Sequence, residues 1–565
     1  MLFSIFALSG SLTAQEDIPR RLKKVTYEQM TEQMVKELQL DEKQQKKVAK
    51  LNKKYKTLIE GEQAGLPQGQ RPPMGERPSG RPSGRPNDGM GGRAGGMTGS
   101  PRGGMPGEQS QEKSYDYDKQ QQKYDKAIGK ILSEQQYESY LKIKPQFASQ
   151  RRVRDFLLGG QLDMGHAGAT ELTANATETG KTYQSERTDE NALLVSTKEA
   201  VTISQPTINK TGSSNGGDNC SFYGVNAALL VKGGTTTTIK GGTITSDADG
   251  ANGVFSYGGN GGHNGGQGDG TTVIIEDTKI TTTGGGSGGI MTTGGGVMKG
   301  KNLTINTSGR SSAPIRTDRG GGVVTVDGGC YTSNGLGSPV IYSTADVTVS
   351  NATLTSNMSE GVSIEGKNSI TLNNCRMTVS NTQRNGHAQF LDAIMIYQSF
   401  SGDADAGNSH FTMNGGSLTN KKGHLFHVTN TNAIITLNNV NLVNEDPAKV
   451  LLSVCADGWQ GAGNIATVNA NRQQLEGNIL VGNDSELTLT LADSSTFNGC
   501  INGNITNAEG NSVSTETGTV NVALGDDCIW TLTTDTYITS LKGDISCIKA
   551  NGHRLFVNGK QIKVD

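Results

Sequence analysis

The residues of this chain that could do chemistry are few and scattered. Pro314-Ile315-Arg316-Thr317, Val340-Ile341-Tyr342-Ser343, Ile394-Met395-Ile396-Tyr397, Leu425-Phe426-His427-Val428 and Leu451-Leu452-Ser453-Val454 read as equivalent strands. If the second residue of each points inward, Arg316, Tyr342 and His427 share one outer face, a row that could contact an extended polymer. Val362-Ser363-Ile364-Glu365 fits the opposite phase, and scattered surface residues would account for the same side chains. Asp457-Gly458-Trp459-Gln460 adds Trp459, whose ring face suits a sugar, although turn packing explains a single Trp equally well.

The acidic candidates lie in turns. Asp247 and Asp249 stand in SDADGANG, and Asp403 and Asp405 in GDADAGN. Such Asp-x-Asp turns could offer oxygen ligands to Ca²⁺, and ordinary Asp/Gly turn chemistry accounts for them as well. Glycoside hydrolysis needs two carboxyls flanking one bond, and no such pair is visible. His424 and His427, three apart on a strand, should face opposite ways and share no metal. No nucleophile elbow, phosphate loop or dinucleotide fingerprint stands in a suitable context. The candidate set therefore leans toward binding rather than catalysis.

What must position these residues is a repeat. Ile239-Lys240-Gly241-Gly242-Thr243-Ile244-Thr245 recurs as Ile275 to Thr281, Val326 to Thr332, Val349 to Thr355, Leu372 to Thr378, Met413 to Thr419 and Leu437 to Leu442, with a weaker copy ending at Leu303. The second apolar anchors are Ile244, Ile280, Leu303, Tyr331, Leu354, Met377, Leu418 and Leu442. Their basic interval is about 23 residues, which marks a solenoid. Apolar residues alternate before each anchor, as Val347 and Val349 do, which is a strand with one buried face. Two residues rich in Gly, Asn and Asp then supply a turn that tolerates positive φ. Only stacking can bury the apolar side of such a coil, so the pattern predicts an all-β solenoid of about 13 coils, a parallel β-helix over 191–565. Long excursions interrupt it after Ile244 (257–270) and after Met377 (383–408), and Gly552 to Gly559 reads as a closing hairpin-like strand.

The chain has 565 residues and a formal net charge of −2, which argues against a general nucleic-acid partner. Hydrophobic content is 33%, low for a globular core but enough for a thin solenoid. Seven cysteines without zinc spacing read as small core residues, at least one of them unpaired, with a Cys528–Cys547 pair open. Residues 22–62 and 115–144 carry apolar residues at helical spacing, an antiparallel hairpin or part of a self-associating bundle. Between them, 61–111 is a Gly/Pro/Arg/Met-rich insert that cannot pack a core and is expected to be disordered. Residues 145–190 read as linker and cap. Residues 1–14 look like a secretory apolar segment lacking its basic start, so export to the periplasm, cell surface or medium is expected. No other stretch is long and apolar enough to span a membrane.

Two resemblances follow from these residues. The repeat resembles right-handed parallel β-helix proteins of pectate-lyase-like architecture, particularly secreted bacterial surface proteins. That implies the fold, and partners among polysaccharides, cell-surface glycans or host and bacterial surface proteins, with lyase or hydrolase activity as the alternative. Leu132-Ser133-Glu134-Gln135-Gln136 and Leu40-Asp41-Glu42-Lys43-Gln44 resemble the signature of LTxxQ-type periplasmic helical proteins, which implies a chaperone-like role for 22–144.

Overall fold

The computed structural model describes residues 27–60, 117–133, 135–137, 140, 166–214, 218–259, 268–399, 403–459 and 463–564. The 1–14 leader and the 61–111 insert lie outside these residues. The chain divides into two compact units, one of 24–139 and one carrying the rest.

The smaller unit contains α1 (Tyr27–Glu37), α2 (Glu42–Lys54), α3 (Lys56–Glu60) and α4 (Tyr117–Ile128). The long first helix is broken at Gln39, whose φ is 49°, and restarts at Asp41. The reason is local. Asp41 accepts from the Gln44 amide at 2.7 Å and Gln44 reaches back to the Asp41 amide, a closed capping box. Ser133 and Gln136 repeat the exchange. The two boxes then join, because the Gln44 side chain donates to Gln136 Oε1 at 2.7 Å and Gln136 donates back at 3.1 Å. Tyr124 Oη donates to the buried Asn52 Oδ1 at 2.6 Å, tying α4 to α2.

The larger unit is a parallel β-helix. Each regular coil contributes three strands, as Asp346–Ser350, Thr353–Ser356 and Val362–Glu365 do. Each strand pairs in parallel with its counterpart one coil on, and the third strands alone build a 13-stranded sheet. At about 4.8 Å per rung that sheet is roughly 60 Å long. It begins earlier than 191, since Gly168–Leu172 already pairs with Asn191–Ser196. Inside, like residues stack in columns: Val326, Val349, Leu372, Met413 and Leu437 form one, all at most 1% exposed. The anchors form another, with one correction. Ile305, not Leu303, pairs with Ile280 and Tyr331, so the intervals there are 25 and 26 residues (280 to 305 to 331).

The turn between the first and second strands behaves as its composition demands. Gly241, Asp277, Asn302, Gly328, Asn351, Asn374 and Gly415 all sit at positive φ. Gly329 is obligatory for a second reason, because a Cβ there would stand 2.2 Å from the Leu303 carbonyl. The asparagines also bond along the axis: Asn374 to Asn351 at 3.1 Å and Asn351 to Asp327 at 2.8 Å. A buried serine ladder lines another corner, with the amides of Ser287, Ser312 and Ser338 donating to the hydroxyls of Ser312, Ser338 and Ser359. The C-terminal end closes on an antiparallel hairpin, Leu555–Val557 against Lys560–Ile562.

All seven cysteines are free, Cys528 and Cys547 included, and only Cys330 is exposed. Among the described residues no helix is long and apolar enough to cross a membrane.

Leu354 is fully buried between Tyr331 and Met377 in the anchor column. Leu354→Ala should lower unfolding stability by about 2–5 kcal/mol. Its half-buried neighbour Thr355 →Ala should cost less than about 0.5 kcal/mol. Urea unfolding followed by far-ultraviolet circular dichroism separates the two.

Candidate functional site

The register places Arg316 opposite Tyr342, then Ser363, Met395, His427 and Ser453 on successive rungs of the third-strand sheet. The expected row therefore exists. Ser363 falls in phase with it, and Ile394 and Ile396 rather than Met395 point inward. The row is not a solvent-facing surface. Arg316 is 5% exposed and His427 fully buried, because two loops cover the sheet. One is the segment 383–391, which leads into the strand Asp392–Tyr397, and the other carries Asp457 and Trp459.

Beneath and between these loops lies a cavity of about 290 Å³. Arg316, Tyr342, Asp403 and Trp459 line it, so four of the sequence candidates converge there. The lining also holds Asp318, Glu360, Glu365 and Tyr397, which the sequence did not single out as a site. Trp459 is half-buried, its ring 5.0 Å from that of Tyr397 and 6.2 Å from that of His387. These rings form an aromatic wall. Phe222 also lines the cavity, with the guanidinium groups of Arg319 and Arg316 over its ring at 4.5 and 5.2 Å.

The floor is a set of committed charges. Arg316 pairs with Asp318 at 3.1 Å and donates to the Ser311 carbonyl at 3.0 Å. Arg319 pairs with Asp403 at 2.5 Å. Glu365 accepts from Tyr342 Oη at 2.5 Å, from Tyr397 Oη at 3.3 Å and from the Ser399 hydroxyl. Burial first, and the Glu365 charge second, hold both phenols well above their usual pKa, so they remain donors. Asp318 is pushed up to about 7 by burial and then by Asp403, which together outweigh the two arginines. Glu360 is 6% exposed and its pKa is raised by burial, with only its own backbone amide bonding to the carboxyl. It follows directly on Ser359, the end of the serine ladder, which fixes its place at the mouth of the strand. Behind it, Asp392 is 1% exposed, and burial followed by the charges of Glu360 and Asp457 raises its pKa further.

His427 departs from expectation. It does not line the cavity but holds up its wall. Its Nε2 is 3.0 Å from Asp457 Oδ2 and its Nδ1 2.7 Å from Ser453 Oγ. The other Asp457 oxygen accepts from the amides of Gln389 at 2.7 Å and Gly458 at 2.6 Å. One carboxylate thus pins both covering loops to the sheet. His424 also reaches Ser453 Oγ, at 2.7 Å. The two histidines converge on one hydroxyl instead of facing apart, because His424 stands at the start of its strand where strict alternation does not yet hold. Burial, then His427, lowers the His424 pKa to about 3.

The four aspartates proposed as metal ligands are not brought together. Asp247 is exposed and accepts from Thr283 Oγ1, and Asp249 accepts from the Gly285 amide at 2.7 Å. Both serve turns of adjacent coils. Asp403 is engaged by Arg319, and Asp405 by Lys367 at 2.6 Å. Asp318 and Glu360 were missed because each stands alone in the sequence, just beyond or before a strand. Only the rung register brings them to one place.

Removing the Asp457 pin has a measurable consequence. The chain has two tryptophans, and Trp530 is fully buried against Phe497. Asp457→Ala should therefore shift Trp459 emission to the red and raise its quenching by acrylamide. Unchanged fluorescence would show that the loops hold themselves. Asp318 gives a pH prediction. Its folded pKa, about 7, lies above its ordinary 3.8, so the folded state holds the extra proton between those values. Stability falls as pH rises through that window. The melting temperature of Asp318→Asn relative to the native chain should become more favourable from pH 4 to pH 7.5.

A family model described as a domain of unknown function, DUF4890, matches residues 14–140, a segment that takes in the helical unit and none of the cavity. No curated protein and no solved structure matches the chain.

Proposed function

We propose that the β-helix is an exported carbohydrate-binding module that holds a sugar unit in the cavity lined by Arg316, Tyr342, Tyr397 and Trp459. The observation that carries this reading is the combination in one cavity of an aromatic wall, Trp459 with Tyr397, and a floor of fixed carboxylate, phenol and guanidinium groups. Sugars ask for both. Their C–H faces stack on aromatic rings, and their hydroxyls need donors and acceptors already held in place. The cavity volume suits a single ring or a chain end, and is too small for a folded partner to enter. A glycan surface, rather than a protein one, is the partner this favours.

Glycoside cleavage is a second reading, favoured by two carboxyls, Asp318 and Glu365, lining one cavity. Burial raises the Asp318 pKa to about 7, and Glu365 accepts from the Tyr342 and Tyr397 hydroxyls. An acid and a carboxylate in one cavity are the groups that hydrolysis uses. The guanidinium of Arg316, by contrast, is committed to Asp318 and to backbone carbonyls, so it is poorly placed to neutralise a uronate for a lyase reaction.

A glycan array and calorimetry on the full chain test the binding reading. Trp459→Ala should weaken any bound glycan by at least about tenfold, roughly 1.4 kcal/mol. Binding that ignores Trp459 would place the ligand elsewhere. The same mixtures assayed for new reducing ends test cleavage, which Asp318→Asn should abolish.

A further inference from the structure

The cavity contains a carboxyl that no other described residue answers. Glu360 is 6% exposed, lines the cavity and forms no ion pair among the described residues. Its only bonding partner is its own amide. Asp392, just behind, has one carboxylate oxygen that is buried and without a hydrogen-bond partner. The guanidinium groups direct their hydrogen bonds elsewhere, Arg316 to Asp318 and Arg319 to Asp403. No lysine lines the cavity. A buried carboxyl without a partner is costly as a charge, so it stays protonated until a cation arrives. Trp459 and Tyr397 line the same cavity, and their ring faces attract a cation.

We infer that the cavity selects a cationic saccharide, an amino sugar whose free ammonium group sits between Glu360 and the Trp459–Tyr397 wall. This rests on the reading of the cavity as a saccharide site and adds the class of sugar. A uronate or an N-acetylated sugar brings no cation, so the carboxyls would stay protonated and no ion pair would form. An ammonium ion supplies what the floor lacks, and its arrival drives the proton off Glu360. Binding therefore releases a proton, and affinity rises with pH while Glu360 titrates and the ligand amine stays charged.

Short oligomers of glucosamine, of N-acetylglucosamine and of galacturonic acid, titrated calorimetrically into the full chain, test the inference. The expected order is glucosamine tightest, with about tenfold preference over its acetylated form, and galacturonic acid weakest. Repeating the glucosamine titration in two buffers of different ionisation heat should show proton release. Glu360→Gln should remove the preference and the proton release, and an unchanged far-ultraviolet circular dichroism melt guards against a variant that fails to fold. Equal or tighter binding of the acetylated or galacturonic oligomer by the native chain would overturn the charge preference alone. So would a Glu360→Gln chain that still prefers glucosamine. Failure of all three oligomers to bind would overturn the saccharide reading itself, and this inference with it.

Discussion

Parallel register is the constraint on which everything else in the β-helix depends. A coil one strand thick cannot bury its apolar residues against itself, so each must find the same position on the next coil. The columns built by Val326, Val349 and Leu372, and by Tyr331, Leu354 and Met377, are that requirement met rung after rung. Once the inward residues are locked, the outward ones have no freedom of register either. Arg316, Tyr342, Ser363, Met395 and His427 stand in line because Ile315, Ile341, Val362, Ile394 and Phe426 do.

A straight column on a flat sheet makes a poor site, since each of its side chains would be open to water. The 383–408 excursion changes this without disturbing the stack. It leaves the coil after Met377 and returns in register, so that Met377 still pairs with Leu418. Within it Asp392–Tyr397 forms the next rung of the sheet, and Asp457 fastens the segment before that strand through Gln389 while also holding His427. Roofing the column turns ordinary surface groups into buried ones. This is why Asp318 and Glu360 have raised pKa values and why both arginines are paired.

Much of this was legible in the sequence, and what was not has a physical cause. The alternation at Val347 and Val349 and the Gly/Asn pairs identified strands and turns because both are local properties. The anchor near Leu303 was misplaced by two residues because its strand runs unbroken from Gly296 to Thr307, with Asn302 alone marking the turn. Arg316 and Tyr342 could be aligned from their apolar neighbours, but their burial could not, since the covering loop lies some 40 to 90 residues further along the chain. His424 and His427 were assigned opposite faces by strand alternation, which fails at the first residue of a strand. The Asp-x-Asp turns drew attention by composition, whereas Glu360 and Asp318 carry no local pattern and become a site only across rungs.

Electrostatic balance gives the cavity its character more than its shape does. Arg316 and Arg319 stand near four carboxyls, and each donates to an aspartate, Arg316 to Asp318 and Arg319 to Asp403. Glu365 is supported by hydroxyl dipoles, which stabilise a charge without cancelling it. Glu360 has neither kind of support beyond its own amide. In a low-dielectric pocket such an imbalance is held by protons, and protons are exchangeable with a ligand cation. A stabilising core would have removed Glu360 or given it a partner. Its presence at the mouth of a covered cavity is consistent with a position kept for something that comes and goes.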